Sequence, residues 1–200
     1  MKKIRVVLFD LGNVLVQLDL PGFWRSLGSD GEDARPERKD RTTALANEYE
    51  SGTIGTDEFR RRFQSMYSDR FTPDQLESAF LSVLPNPMED MDRLVQRVAR
   101  SHELALVSNT NPLHFRLCMG IVPALKHFHR FYLSYELRVL KPNDGFYKGV
   151  IEGEGRDPGE LVFIDDLEEN VEGAKRAGMK GLFFTGKSDL ETSLSQLGVL

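Results

Sequence analysis

A single cysteine, Cys118, stands among 200 residues. No intramolecular disulfide can form and no thiolate zinc site can be built. The four histidines do not fall at ligand spacing on a recognisable helix, so an imidazole site is not expected either. One cysteine agrees with a reducing compartment, and the expected location is cytoplasmic. No apolar run approaches the ~20 residues a membrane span needs, so no membrane partner is expected. Met1-Lys2-Lys3 imitates the start of a signal peptide, but Arg5, Asp10 and Asp19 interrupt the apolar stretch behind it, and no small-residue cleavage site comes after. A basic stripe is also missing. Net charge is −5, and phosphate-backbone binding needs clustered Lys and Arg, so nucleic acid is excluded as the expected partner. Arg60, Arg61 and Arg62 form one short basic run, but Glu58 sits beside it and a solvated helix face is the simpler reading. There is no internal repeat and no low-complexity tract.

What the chain does contain is organised from its first apolar run, Ile4-Arg5-Val6-Val7-Leu8-Phe9. This run is rich in β-branched residues and reads as a strand buried on both faces, as in a parallel sheet. Runs of the same kind recur at 104–107, 131–133, 161–164 and 181–184. Helices are predicted between and after them at 88–100, 112–120, 142–152, 170–177 and 190–197, with Pro142 in a first turn. Alternating strand and helix implies α/β architecture with a doubly wound parallel sheet. Residues 19–84 break the alternation. A short helix opens at Leu20, and another spans 36–50 with Ala44, Leu45, Ala46 and Tyr49. Thr56 is read as the N-cap of a helix over 57–69 carrying Phe59, Phe63, Met66 and Tyr67. Thr72 and Pro73 open a helix over 74–84. This is an all-helical insert, 19–84, in a core made of 1–18 and 85–200. Its aromatic stripes read as packing surface.

The chemistry gathers where the strands end. Asp10 follows the first strand, Ser108-Asn109 the second and Asp165-Asp166 the fourth, while Lys141 follows the third after a short connection. Ligands in open α/β sheets sit beyond the carboxyl ends of the strands. Each residue also has an ordinary reading. Asp10 could cap a turn, Ser108 a helix, and Asp165-Asp166 the helix near Asn170, while Lys141 could be a solvated lysine before a proline. Their coincidence at corresponding strand ends favours a site. Crowded carboxylates call for a cation, and hard oxygen ligands select Mg²⁺. A hydroxyl, free backbone N–H groups and an ammonium suit a phosphate.

Phe9-Asp10-Leu11-Gly12-Asn13-Val14, Ser108-Asn109-Thr110-Asn111, Lys141-Pro142, and Phe163-Ile164-Asp165-Asp166 with Asn170 resemble, in order, the four motifs of the haloacid dehalogenase-like superfamily. The match is closest to its small phosphatases of sugar phosphates and similar esters, including the phosphatase half of soluble epoxide hydrolases. The resemblance covers essentially the whole chain and implies a Rossmann-like core with a small helical cap at 19–84. It implies a hydrolase for a small phosphate ester, with Asp10 as nucleophile and Mg²⁺ ligand. The Gly12 carbonyl, Asp166 and Asp165 would complete the metal site, with Asn170 behind it. Ser108 and the Asn109 amide would bind phosphate, and Lys141 would balance charge. One departure stands out. Gly12 occupies the position where many such phosphatases carry an Asp acting as general acid, which leaves a 2-haloacid dehalogenase or a non-catalytic phosphate-binding module as alternatives. His114 could reach the site or pack under its helix. Substrate identity and oligomeric state are not legible.

Overall fold

The computed structural model describes residues 2–27, 36–67 and 70–200. Its centre is a five-stranded parallel sheet. The strands are β1 (Val6–Phe9), β2 (Glu103–Ser108), β3 (Arg130–Leu133), β4 (Leu161–Asp165) and β5 (Lys180–Phe183), in the order β3-β2-β1-β4-β5. β1 is central because it is buried on both sides. Val6 and Leu8 join Ala105, Val107, Leu161 and Phe163 on one face, and Val7 and Phe9 join Leu104, Leu106, Val162 and Ile164 on the other. Each such side chain contributes roughly 1.5–3 kcal/mol by leaving water. Parallel pairing sets Phe9 opposite Leu106 and Ile164, so one residue further on Asp10 comes level with Val107 and Asp165.

Among the described residues five helices separate β1 from β2, and the first four are α1 (Leu20–Ser26), α2 (Pro36–Glu50), α3 (Thr56–Tyr67) and α4 (Pro73–Leu81). They pack through Phe23, Tyr49, Phe59, Phe63, Tyr67 and Phe80, with Tyr49 stacked on Phe59 at 4.5 Å and Phe59 4.6 Å from Phe80. These rings are buried, so the stripes read as packing surface do serve that role. They are continuous with the apolar face of the sheet that carries Val7 and Phe9. Arg60, Arg61 and Arg62 pair with Glu77, Glu58 and Glu48 on the outer surface, where such pairs contribute little.

The remaining α-helices are α5 (Met91–Val98), α6 (Pro112–Ile121), α7 (Ser134–Leu137), α8 (Asp144–Glu154), α9 (Glu168–Arg176) and α10 (Lys187–Gln196), with short 3-10 turns at Pro123–His127 and Pro158–Glu160. Several differ from the sequence reading. Thr56 is the first residue of α3 rather than its N-cap, and its hydroxyl meets Tyr49 Oη at 2.8 Å. The expected end of that helix, 68–69, lies outside the described residues. Thr72 does cap α4, with Gln75 completing a reciprocal capping box, but the helix ends at Leu81. α5 starts at Met91 rather than Met88 because the Met88 N–H is bound to the Leu15 carbonyl at 2.8 Å, beside a bridge between Val16 and Pro87. α8 starts at Asp144, capped by Asn143, so Pro142 precedes the helix instead of opening it. The Asn109 side chain holds both the N–H and the carbonyl of Lys141, which keeps that segment outside the helix. The short α7 has no counterpart in the sequence reading. It ends at Arg138 with φ 56°, a left-handed conformation that favours glycine.

Candidate active site

The carboxyl end of the sheet brings Asp10, Lys141 and Asp165 together in one buried cluster. Lys141 Nζ donates to Asp10 Oδ1 and Asp165 Oδ2, both at 2.7 Å, and to the Val107 carbonyl at 3.0 Å. All three donor positions of the ammonium are thereby occupied. Asp165 is fully engaged. Its Oδ1 accepts from the Leu167 N–H and from Asn170 Nδ2, which also reaches Oδ2. Burial is the main cause that raises the Asp10 carboxyl to about 7. Lys141 opposes the rise and Asp165 adds to it. Burial also pulls on Lys141 in the direction of the neutral amine, but Asp10 and Asp165 outweigh it and hold the ammonium above its usual range. Lys141 is therefore no solvated lysine, and Asp10 is no simple turn cap.

Asp166 lies beside this cluster, less buried. One oxygen each from Asp10, Asp165 and Asp166 falls within 4.8 Å of the others. Asp166 Oδ2 accepts from Asn13 Nδ2 at 2.9 Å, and Asn13 Oδ1 accepts from the Leu18 N–H at 3.2 Å. Asn13 holds φ 50°, which Asn tolerates better than most residues. The turn it makes uses the Leu11 and Val16 carbonyls, and no hydrogen bond among the described residues takes the Gly12 carbonyl. Asn170 leaves its Oδ1 buried without a partner beside Asp165. Three converging carboxylates, a free carbonyl and an orphaned amide oxygen fit a hydrated Mg²⁺.

Ser108 is buried at the end of β2. It does not cap α6, because Asn111 does so by accepting the His114 N–H at 3.0 Å. The Ser108 hydroxyl has only a long contact of 3.3 Å to the Asn109 carbonyl, and no hydrogen bond among the described residues takes the Asn109 N–H. Both remain available to an oxyanion. The Asn109 side chain has a second role that the sequence did not suggest, clamping the backbone of Lys141 at 2.8 and 3.0 Å.

A second polar group occupies the seam between the inserted helices and α6. Asn111 Oδ1 takes the His114 N–H, so its Nδ2 must face His114 Nδ1, at 3.0 Å, and His114 Nε2 donates to the Phe80 carbonyl at 2.9 Å. The ring is thus held neutral, stacked 4.2 Å from Phe80, and it packs under its helix. Burial pushes His114 down to about 4. Glu50, the last residue of α2, is half-buried, and burial pushes its carboxyl up to about 7 against the opposing pull of Asn111. Sequence reasoning missed Glu50, because nothing in the spacing tells that the end of α2 folds onto α6. Between pH 6.5 and 4 the unfolded chain takes up a proton at His114 that the folded chain refuses, so His114 makes stability fall as pH drops through that window. The displacement corresponds to roughly 3 kcal/mol. Glu50 acts oppositely: its contribution is full below about 4.5 and is lost as pH rises through about 7. His114→Gln should therefore make the unfolding free energy fall more steeply, relative to wild type, as pH rises from 4 to 6.5. Urea melts across that range measure it, and a slope unchanged from wild type would contradict the neutral, buried ring.

The chain resembles known proteins in sequence and in fold. The profile of the haloacid dehalogenase-like hydrolases matches residues 4–178. A D-ribitol-5-phosphate phosphatase from Bacteroides thetaiotaomicron is 26% identical over 190 residues, covering 88% of this chain and 90% of the relative. A flavin mononucleotide hydrolase of Arabidopsis thaliana is 26% identical over 203 residues, covering 99% of this chain and 79% of that protein. A crystal structure of a haloacid-dehalogenase-family enzyme from Bacteroides thetaiotaomicron, in complex with magnesium and inorganic phosphate, superimposes with a TM-score of 0.82 at 29% identity, covering 92% and 96% of the two chains. With its motifs, its sheet order and a match spanning nearly all of its length, the chain belongs to the haloacid dehalogenase-like hydrolase family.

Proposed function

We propose that this hydrolase is a Mg²⁺-dependent phosphatase that cleaves a small phosphomonoester through an aspartyl-phosphate on Asp10. The observation that carries the proposal is the buried contact of Asp10 with Lys141, next to the carboxylates of Asp165 and Asp166. In this reading residues 1–18 and 85–200 are the catalytic core and 19–84 are a cap that selects the substrate. One Asp10 oxygen attacks phosphorus while the phosphoryl oxygens are held by the Ser108 hydroxyl and the Asn109 N–H. Lys141 balances the charge of the attacking carboxylate and keeps its Oδ1 fixed. Asp10, the Gly12 carbonyl and Asp166 would hold the ion, with Asp165 and Asn170 orienting the groups around it. When bound, Mg²⁺ supplies the positive charge that lets an anionic carboxylate approach an anionic phosphate.

The substrate class is drawn from the relatives. Ribitol 5-phosphate and flavin mononucleotide each carry the phosphate on the terminal carbon of a ribityl chain, and we assign this chain a primary alkyl phosphate of the same polyol type. A dehalogenase would not need the cation that three converging carboxylates call for. A cytoplasmic location is part of the proposal. No described helix is long and apolar enough to cross a membrane. Hydrolysis of p-nitrophenyl phosphate should be measured with Mg²⁺ and again after EDTA. Turnover with the ion and loss of at least ~10²-fold without it is expected. Equal rates would sink the proposal, and binding of Mg²⁺ and phosphate without turnover would make the chain a non-catalytic module.

A further inference from the structure

Cleaving an alkyl ester raises a difficulty at this site. The departing oxygen leaves as a strongly basic alkoxide unless it is protonated, and the groups around Asp10 are poorly placed to protonate it. Asp10 is the attacking group. Lys141 has its three donors bound to Asp10, Asp165 and Val107. Asp165 accepts from Lys141, Leu167 and Asn170, and Asp166 is held by Asn13 beside the cation site. His114 has both ring nitrogens engaged. Gly12 offers no side chain. A β-carbon there would come within 3.0 Å of Leu18 Cδ1, so Leu18 crowds the space into which a side chain at position 12 would extend.

Among the described residues, the inserted helices set a further carboxyl-bearing residue, Glu50, against the segment after Ser108. Glu50 ends α2, where its carbonyl lies 2.6 Å from Ser134 Oγ, and the same hydroxyl accepts the Thr110 N–H at 3.0 Å. Gly52 fixes the seat. Its φ is +68°, and a β-carbon would lie 2.2 Å from the Tyr135 carbonyl oxygen, so only glycine lets the chain turn this close to α7. The end of α2 is thereby held against the segment just after Ser108. Asn111, three residues beyond Ser108, is the polar group that acts on the Glu50 carboxyl. No cation partners Glu50 in a salt bridge among the described residues, and the group on α6 that acts on its carboxyl is the neutral Asn111.

Resting on the phosphatase reading, we infer that Glu50 is the general acid and base that replaces the missing carboxyl at position 12. As the Asp10 Oδ–P bond forms and the P–O bond to the alcohol breaks, the leaving oxygen takes the Glu50 proton and departs as the neutral alcohol. The resulting Glu50 carboxylate then accepts a proton from the water that attacks phosphorus, which releases Asp10 and inorganic phosphate and restores the acid. Its carboxyl, raised to about 7, is close to the value that suits both halves of this cycle. The site would thus be complete only with the inserted helices seated on the core.

General-acid help matters in proportion to the basicity of the leaving group, which gives the test. Glu50→Gln and wild type should be compared on ribitol 5-phosphate, glycerol 3-phosphate and a graded series of aryl phosphates ending in p-nitrophenyl phosphate. The variant is expected to lose ~10²–10⁴-fold in kcat with the alkyl esters and far less with p-nitrophenyl phosphate, so that its rates depend more steeply on leaving-group pKa. The aryl turnover doubles as evidence of a folded site. An equal loss on all esters, a rise in KM alone, or no loss would overturn the assignment. Should Glu50→Gln not fold, Glu50→Asp carries the test, since a shortened acid must also steepen the dependence, and a dependence equal to wild type overturns it. Absence of Mg²⁺-dependent aryl turnover in wild type would instead defeat the phosphatase reading itself.

Discussion

Asp10→Asn is expected to abolish phosphate-ester hydrolysis, with a loss of at least ~10³-fold in kcat on p-nitrophenyl phosphate. The amide keeps the shape of the side chain but removes the attacking oxygen. The fold should survive the change. Burial already disfavours the ionised form of Asp10, and Lys141 keeps its contacts with Asp165 and with the Val107 carbonyl. The variant should melt no lower than wild type in the absence of Mg²⁺, which separates lost chemistry from lost structure. Activity within tenfold of wild type would mean that Asp10 is not the nucleophile.

Lys141→Met is expected to cost both activity and stability. Methionine fills most of the volume of the lysine stem but leaves Asp10 Oδ1 and Asp165 Oδ2 without the ammonium that now lies 2.7 Å from each. Breaking a buried charge pair by removing one partner typically costs about 3–5 kcal/mol, a large share of the roughly 5–15 kcal/mol by which domains are stable. The cost should shrink on acidification, because Asp10 already ionises reluctantly and can be neutralised. Urea unfolding at pH 8 and pH 5.5 reads both effects. A difference from wild type below about 1 kcal/mol at pH 8 would show that the cluster carries little strain when its cation is removed.

How much of this was legible in the sequence depends on which forces set each element. Strands β1, β2 and β4 are short apolar runs buried on both faces, and a run of that kind has few alternatives, so the sheet and the positions of Asp10, Ser108 and Asp165 at its edge could be read directly. Thr72 and Pro73 marked α4 because capping is local chemistry. Where tertiary contacts override local signals, reading failed. Pro142 looks like the opening of a helix, but the Asn109 side chain holds Lys141 across 32 residues of sequence. Met88 belongs to a helical pattern, yet its N–H is committed to Leu15. The same limit hid Glu50. Its environment is made by Asn111 and by Ser134 on other elements, and a glutamate closing a polar helix carries no mark of that. Asn13 lay within the first motif, but its contact with Asp166 joins residues 153 positions apart.

The central claim is that phosphorus is transferred to Asp10 and then to water. The most direct measurement is the intact mass of the protein quenched in acid during steady-state turnover of p-nitrophenyl phosphate with Mg²⁺, followed by peptide mapping. A phosphoryl adduct on the peptide containing Asp10, absent from Asp10→Asn and from the EDTA-treated enzyme, is the predicted result. Sustained turnover with no adduct on that peptide, or an adduct that persists in Asp10→Asn, would contradict it.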